Sequence, residues 1–444
     1  MFKFINKVIT GVFNMISRTT MKQVLRESPA ITSTMVQKIN EWNSMLSGNA
    51  DWCKDYVKSL RIEQGICREF ADVVLSEMEI KISNDKLLKL FEKTTESLNE
   101  NLQDGLGLGS FCLKPLGNEQ AEFVTADKFI PVSFGNDEKP NDIVFLDFRD
   151  IDDSKYYVRL ERHSIKNGFL EITNEAYSSS TRYGFDRKIP LESLEAWRGL
   201  PEHVAYPGVK EMDFGYYRNP IKNRIDDTPC GVSIFDYAID LIRKADVQSA
   251  RIDWEFESGE RAIHVDAAAI KRESDGQNGV SKLNKRLYRG IDGEEEFFKE
   301  FSPELRDQNL INGLENYFRQ IEFVVGLAFG DLSNPQSVDK TATEVKASKN
   351  RKYNRVKAIQ DNLRDCLEDF VRGLAFHEGM LHSGYEFICS FKDSILTDEE
   401  TDRQLMLNEI AAGIRSHWEY RVRFLGEDEE TAKANVPDQG GVME

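Results

Sequence analysis

The stretch LRDQNLINGLENYFRQIEFVVGLAFGDLSNPQSVDKTATEVKASKNRKY (residues 305–353) holds two helices and the loop between them, and the rest of the chain arranges itself around that reading. Ser302 predicts an N-cap and Pro303 the first helical position, where a missing N–H removes no hydrogen bond. Ile311, Leu314, Phe318, Ile321 and Val325 recur at helical spacing as one apolar face, with Asn312, Glu315, Arg319 and Glu322 opposite. Gly330, Asn334 and Pro335 interrupt helices, so GDLSNPQSVD (330–339) is a loop. Thr341 with Glu344 makes a capping box that opens the longest helix, 341–375, with Val356, Ile359, Leu363, Phe370 and Leu374 as its buried stripe.

Upstream, Pro229-Cys230-Gly231 punctuates the chain, and Ser233 with Asp236 forms a capping-box-like pair. Ile234, Ala238, Leu241 and Ala245 follow at helical spacing, which predicts a helix over about 233–255, ended by Gly259. Between this helix and the next, residues 260–301 are polar and charge-rich, with Gly276, Gly279, Gly290 and Gly293. They read as short strands plus a small helix. Residues 20–105 read as mostly helical, with Val36, Ile39 and Trp42 on one stripe and Cys67 to Met78 carrying a second. From Phe111 to about Tyr217 the pattern becomes short β runs: IVFLDF (143–148), YYVRL (156–160) and FLEIT (169–173). The last two are joined across the hairpin-type turn Lys166-Asn167-Gly168. The expected fold class is therefore mixed α+β with a solvated β layer. Beyond Gly384 come a strand (YEFICSF), a helix from near Asp398 through Ile410, SHWEYR (416–421) and an acidic, glycine-ending tail.

Composition sets the class. The chain has 444 residues, 40% hydrophobic and 30% charged, the balance of a soluble globular protein. No apolar run reaches the roughly 18 residues that span a bilayer. The N-terminal MFKFINKVITGVFNMISR places Val8, Val12 and Ile16 at helical spacing. Lys7 and Asn14 break any signal-peptide centre, so it reads as an amphipathic arm packing on its own or a neighbouring subunit, ahead of the alternative of membrane association. The six cysteines, Cys53, Cys67, Cys112, Cys230, Cys366 and Cys389, contain no C-x-x-C pair and read as reduced core thiols of a cytoplasmic protein. A net charge of −18 disfavours a protein that grips nucleic acid, because phosphate affinity comes from Lys and Arg.

Chemical motifs fail one by one. The glycines of Gly105-Leu106-Gly107-Leu108-Gly109 follow a helix and open a strand, the reverse of a dinucleotide loop. No P-loop pattern occurs, which leaves no usual means of holding ATP. His377 and His382 are five apart, not the four that put two zinc ligands on one helical face, and Gly379 lies between them. His163, His203, His264 and His417 are isolated, and Glu294-Glu295-Glu296 and Glu427-Asp428-Glu429-Glu430 read as solvated faces. No catalytic constellation, cofactor or metal site is expected. One basic run stands out: Lys340, Lys346, Lys349, Arg351, Lys352, Arg355 and Lys357, opposed only by Glu344. It suits either phosphate contact or pairing with acidic neighbours across a subunit interface.

The order helix, polar insert, helix, Asn/Pro loop and long basic helix resembles the portal proteins of tailed bacteriophages, of the type in siphophages of Gram-positive hosts. Four segments carry the resemblance: RNPIKNRIDDTPCGVSIFDYAIDLIRKAD (218–246), KLNKRLYRG (282–290), residues 305–353 quoted above, and AAGIRSHWEYRVRFLGEDEETAK (411–433). The resemblance implies an N-terminal arm (1–20), a wing that is helical then β-rich (21–230), a first stem helix (231–259) and a clip (260–301). A second stem helix (302–329), a tunnel loop (330–340), a long wing helix with a strand (341–395) and a C-terminal helical region with a reduced crown (396–444) would follow.

Such a subunit would build a ring, usually of twelve copies, at the capsid vertex of the virion after assembly in the host cytoplasm. Its partners would be the terminase large subunit, the head–tail connector, the major capsid and scaffolding proteins, and double-stranded DNA passing without sequence specificity. Lys282, Lys285, Arg286 and Arg289 would lie in the clip that docks motor and connector. Asp240, Glu315, Arg319 and Glu322 would face the channel, with Asp240, Glu315 and Glu322 as an acidic wall repelling phosphate. Leu332, Ser333, Asn334, Pro335, Gln336 and Ser337 would form a lysine-free loop beside the duplex. Two rivals are another minor capsid or connector component, which the stem–clip–stem order disfavours, and a packaging enzyme, which the missing phosphate loop disfavours.

Overall fold

The computed structural model describes residues 18–76, 78–152, 155–166, 168–259, 262–266, 288–291, 298–301, 304–335, 342–381, 384–391 and 399–436. The architecture is mixed α+β. The N-terminal arm before residue 18 and the tail after residue 436 lie outside the described residues. One hydrophobic core runs from Met21 to Cys389 and joins the segments expected as wing, stem and long helix into a continuous body.

The helix Ser33–Leu46 is capped by Thr32, whose hydroxyl accepts the Met35 N–H at 3.1 Å, and it turns Met35, Val36, Ile39, Trp42 and Met45 inward. The helix Ile62–Leu75 ends before Met78, which corrects the stripe expected to reach that residue. Met78 instead opens β1 (Met78–Ile82), paired antiparallel with a strand from the far end of the chain, Phe387–Phe391. That partner lies some three hundred residues away, beyond any local periodicity.

Helix Leu98–Leu108 carries the first glycines of the GLGLG run, and Gly109 at φ +89° ends it before a strand begins at Ser110. The helix-then-strand order is as expected. Gly105 lies against the Phe111 ring and Gly109 against the Gly231 backbone, contacts with no room for a Cβ. The run is thus a packing device.

Two sheets fill residues 110–218. Strands β2 (Ser110–Gly117), β3 (Gln120–Thr125) and β10 (Gly215–Arg218) make the smaller, in the order β10-β2-β3. The larger is a meander of β4 (Phe129–Phe134), β5 (Pro140–Asp152), β6 (Lys155–Lys166), β7 (Phe169–Ser179) and β8 (Arg187–Ile189), with β9 (His203–Pro207) also on β7. The β6–β7 hairpin turns where expected, with Lys166 opposite Phe169. Its layer is less solvated than expected. Ile143, Val144, Phe145 and Leu146 are all buried, so the centre of β5 is covered on both faces. Val24 and Leu25 of the helix Arg18–Leu25 share a cleft with Val144 and Leu160 on one of them.

The long helix, Ala342–His377, buries Val356, Ile359, Leu363, Phe370 and Leu374, the predicted stripe, and extends it through Cys366, Leu367 and Val371. It can lie directly on the small sheet because Gly215 meets the Cys366 carbonyl and Gly373 meets the Asp213 carbonyl. A Cβ at either place would collide with backbone. The Thr341 cap lies outside the described residues. At the C-terminus, helices Glu399–Ala411 and His417–Leu425 are followed by a short helix, Glu429–Ala434, in the acidic tail. Ser416 and Glu419 form a capping box at the second of these.

Candidate functional site: the helix pair and the loop at its base

Two helices, Ile239–Ser258 and Asp307–Val325, run antiparallel. Cross-links at successive levels fix the pairing. At the distal end the Glu255 carboxylate receives the Arg306 guanidinium at 2.7 and 3.1 Å and the Arg306 backbone N–H at 2.9 Å. These hydrogen bonds, the side-chain one foremost, hold the Glu255 carboxyl down to about 2. Midway, the Gln248 amide donates to the Leu310 carbonyl at 2.9 Å.

The first helix begins six residues later than its caps predicted. Ser233 and Asp236 do not open it. The Ile234 N–H donates to the Leu106 carbonyl at 3.0 Å, and Ile234 and Phe235 are sunk in the core, so this segment makes turns first. The second helix starts at Asp307, past Ser302 and Pro303, which lie outside the described residues.

The foot of the first helix is anchored by two tryptophan–aspartate hydrogen bonds. The Trp42 indole donates to Asp236 at 2.9 Å, and the Trp52 indole to Asp246 at 2.8 Å. Asp246 also accepts the Leu60 N–H at 2.8 Å, and burial pushes its carboxyl above the ordinary range. Sequence reasoning missed this anchor. The available signal was an aspartate four residues after Ile242, on the apolar stripe itself.

The four residues expected to face a channel separate in the structure. Asp240 is exposed and Arg319 half-buried. Glu322 is 2% exposed, turned to the loop that folds back over its face: it accepts the N–H groups of Gly330, Leu332 and Ser333 and the Ser333 hydroxyl. Glu315 accepts the Asn334 N–H at 2.9 Å. The acidic wall is thereby corrected. The exposed charges of the first helix are mixed: Asp240, Asp253 and Glu257 beside Arg243, Lys244 and Arg251.

The loop is likewise less exposed than expected. Ser333 is buried and Leu332 half-buried, leaving Asn334 and Pro335 at the surface. Gln336 and Ser337 lie outside the described residues.

The basic run also divides. Lys352 is buried and pairs within the chain, with Glu69 at 2.5 Å and Asp331 at 3.0 Å. Against the effect of burial, these carboxylates hold its ammonium above the ordinary range. Arg355, half-buried and lowered by that burial, donates to the Pro220 carbonyl at 3.2 Å. Both are therefore corrected from outward contacts to internal ones. Lys349 is exposed, and Arg351 stacks on the Phe323 ring at 4.8 Å. Lys346 is helical, and Lys340 lies outside the described residues.

At the tip of the pair, Ala262–Asp266 takes Tyr288–Ile291 in parallel and Phe298–Phe301 antiparallel, the short strands the insert predicted. Arg289 stands opposite His264 in that register. Lys282, Lys285 and Arg286 lie outside the described residues.

A second cluster escaped sequence reading altogether. His163, taken as isolated, is buried between Asp213 at 2.7 Å and Glu161 at 2.9 Å, and His377 reaches the other Asp213 oxygen at 2.8 Å. Lys114 and Arg159 reach Glu161, each at 2.9 Å. Burial alone would lower His163, yet the two carboxylates raise it to about 9. The cluster clamps the end of the long helix to the meander. No group of three or more His, Cys, Asp or Glu able to hold a metal occurs among the described residues, and none of the described helices is long and apolar enough to cross a membrane.

The geometry defines a class in coarse terms: an α+β body that carries an antiparallel helix pair with a small sheet at its tip. No protein-family model matches the chain, and no curated protein sequence matches it.

Proposed function

We propose that this chain is a portal subunit of a tailed phage, one copy in a ring whose helix pairs surround a passage for double-stranded DNA. The reading rests on the four-segment sequence resemblance. One structural observation carries it further: the distal half of the helix pair is incomplete within a single chain. Trp254 is 65% exposed and Phe256 45%, with Leu305 just before the second helix at 41%, on a pair whose base is sealed into the core; Phe323, also 65% exposed, lies at that base under Arg351. Apolar side chains left out on a rigid element mark a surface completed by association. In a ring, side-by-side copies would cover them through a heterologous interface that closes on itself.

The corrected electrostatics support passage by a different route from an acidic wall. Mixed charges on the first helix give phosphate no continuous attractive track, and the loop has no lysine among residues 330–337. The tip sheet would meet the packaging motor and then the head–tail connector. The function is a conduit and docking platform with no chemical step of its own. Electron microscopy of the purified full-length protein tests this: rings with a central hole are expected, and strictly monomeric particles at every concentration would overturn it.

A further inference from the structure

The loop at the base of the pair has an arrangement that the conduit reading alone does not require. Three backbone N–H groups converge on the Glu322 carboxylate, from Gly330 at 3.1 Å, Leu332 at 2.8 Å and Ser333 at 2.7 Å, joined by the Ser333 hydroxyl at 3.0 Å. Gly330 adopts φ +93°, the left-handed conformation that lets the chain curl so tightly. N–H groups curled around one oxyanion form a nest, the concavity that in many proteins receives phosphate. Here the occupant is the chain's own side chain, 2% exposed.

The neighbouring donors are occupied as well. Asn334 N–H goes to Glu315 at 2.9 Å, Asp331 N–H to the Ala328 carbonyl at 3.3 Å, Ala328 N–H to Asp331 at 2.8 Å and Phe329 N–H to the Ser348 hydroxyl at 3.2 Å. Every backbone N–H from Ala328 to Asn334 thus has an acceptor inside the chain, and Pro335 has no N–H to offer. Lys352, the cation beside the loop, is neutralised by Asp331 and Glu69.

We propose that Glu322 is a built-in substitute for phosphate. It fills an oxyanion nest that would otherwise bind the backbone of passing DNA, and so keeps the loop from gripping it. Only the identity of the excluded anion rests on the conduit reading; the nest can be tested on the isolated protein.

The test is hydrogen exchange on the full-length chain as wild type, Glu322→Ala and Glu322→Asp, with inorganic phosphate titrated against chloride at constant ionic strength. In the wild type the amides of Gly330, Leu332 and Ser333 should be protected and indifferent to phosphate. In Glu322→Ala their exchange should rise about tenfold or more, since bonds to a charged acceptor are among the strong ones. Phosphate, and not chloride, should restore protection. If Glu322→Ala fails to fold, Glu322→Asp decides, because it keeps the charge but withdraws it by one methylene; partial loss with phosphate rescue is then expected. Retained protection in the variants without phosphate, or loss that phosphate does not reverse, would overturn the proposal. A short DNA duplex should bind Glu322→Ala more tightly than wild type and in a salt-sensitive way. Phosphate rescue without that gain would sustain the nest and overturn DNA as the excluded anion.

Discussion

At the foot of the helix pair, Asp246 is 1% exposed and takes hydrogen bonds from Trp52 and Leu60, while Glu322 takes four from the loop. Two turns further out, Trp254 stands 65% exposed on the same helix as Asp246. The foot places charged groups in the interior and satisfies each of them. The distal half places apolar groups in solvent and leaves them bare. Buried charge that is fully hydrogen-bonded fixes one geometry at some cost in desolvation. Exposed aromatic surface gains stability only when something covers it. The same two helices therefore serve as a rigid mount at one end and an unfinished interface at the other.

The comparison is broken most directly at the mount. Asp246→Ala strands the Trp52 indole and the Leu60 N–H in the interior, and we expect a loss of about 3 kcal/mol in urea unfolding. Asp246→Asn keeps an acceptor without the charge that burial already disfavours, so its loss should be about 1 kcal/mol or less. Equal losses for the two would mean that the aspartate is a packing residue, with its hydrogen bonds incidental.

Acid and alkali should separate the two halves. His163 is raised from 6.5 to about 9, so the clamp it makes with Asp213 contributes fully below its unfolded pKa and is lost as pH rises through the folded value. The loss is on the order of 3 kcal/mol, and it loosens the body that holds the mount. Glu255 is lowered from 4.5 to about 2, so the distal clasp to Arg306 contributes above the unfolded pKa and is lost as pH falls through the folded one. Hydrogen exchange across pH should show residues 251–258 opening early in acid, while the end of the long helix opens early above pH 9. Simultaneous opening at both extremes would erase the distinction.

The sequence displayed one half of this molecule better than the other. Helical spacing found the buried stripe from Val356 to Leu374, the β6–β7 turn and the strands of the insert, because these depend on neighbours within a few residues. It misjudged Glu322 by assigning it to a polar face. That assignment follows from spacing along one helix, whereas the loop that covers the face arrives from outside it. Glu322 nonetheless lies four residues after Phe318 and three before Val325, close enough to the apolar stripe to have been suspect. Lys352 was counted with a basic face for the same reason, although its partner Glu69 belongs to a helix nearly three hundred residues earlier. The His163–Asp213–His377 clamp left no local signal, since each member comes from a different element.

The smallest expected change in the stability of a single chain is also the sharpest test of the unfinished interface. Trp254→Ser removes an aromatic ring that is already mostly in water, so urea unfolding of the monomer should shift by no more than about 0.5 kcal/mol. Phe323→Ser, at the foot of the pair, removes the ring under Arg351 and should cost slightly more, because a partly exposed cation–π contact is worth about 0.5–1 kcal/mol. If neighbouring copies cover these rings, the same substitutions desolvate nothing on assembly and the oligomer should fall apart at concentrations where the wild type holds, as mass photometry or sedimentation would record. A change at the mount such as Asp246→Asn should show the reverse pattern, with weaker folding and assembly lost only in proportion to the unfolded fraction. Rings that persist in Trp254→Ser at wild-type concentrations would mean that the exposed distal aromatics are not where copies meet, and the distinction between mount and interface would have to be drawn elsewhere on the helices; persistence in Phe323→Ser alone would exclude only the ring at the foot.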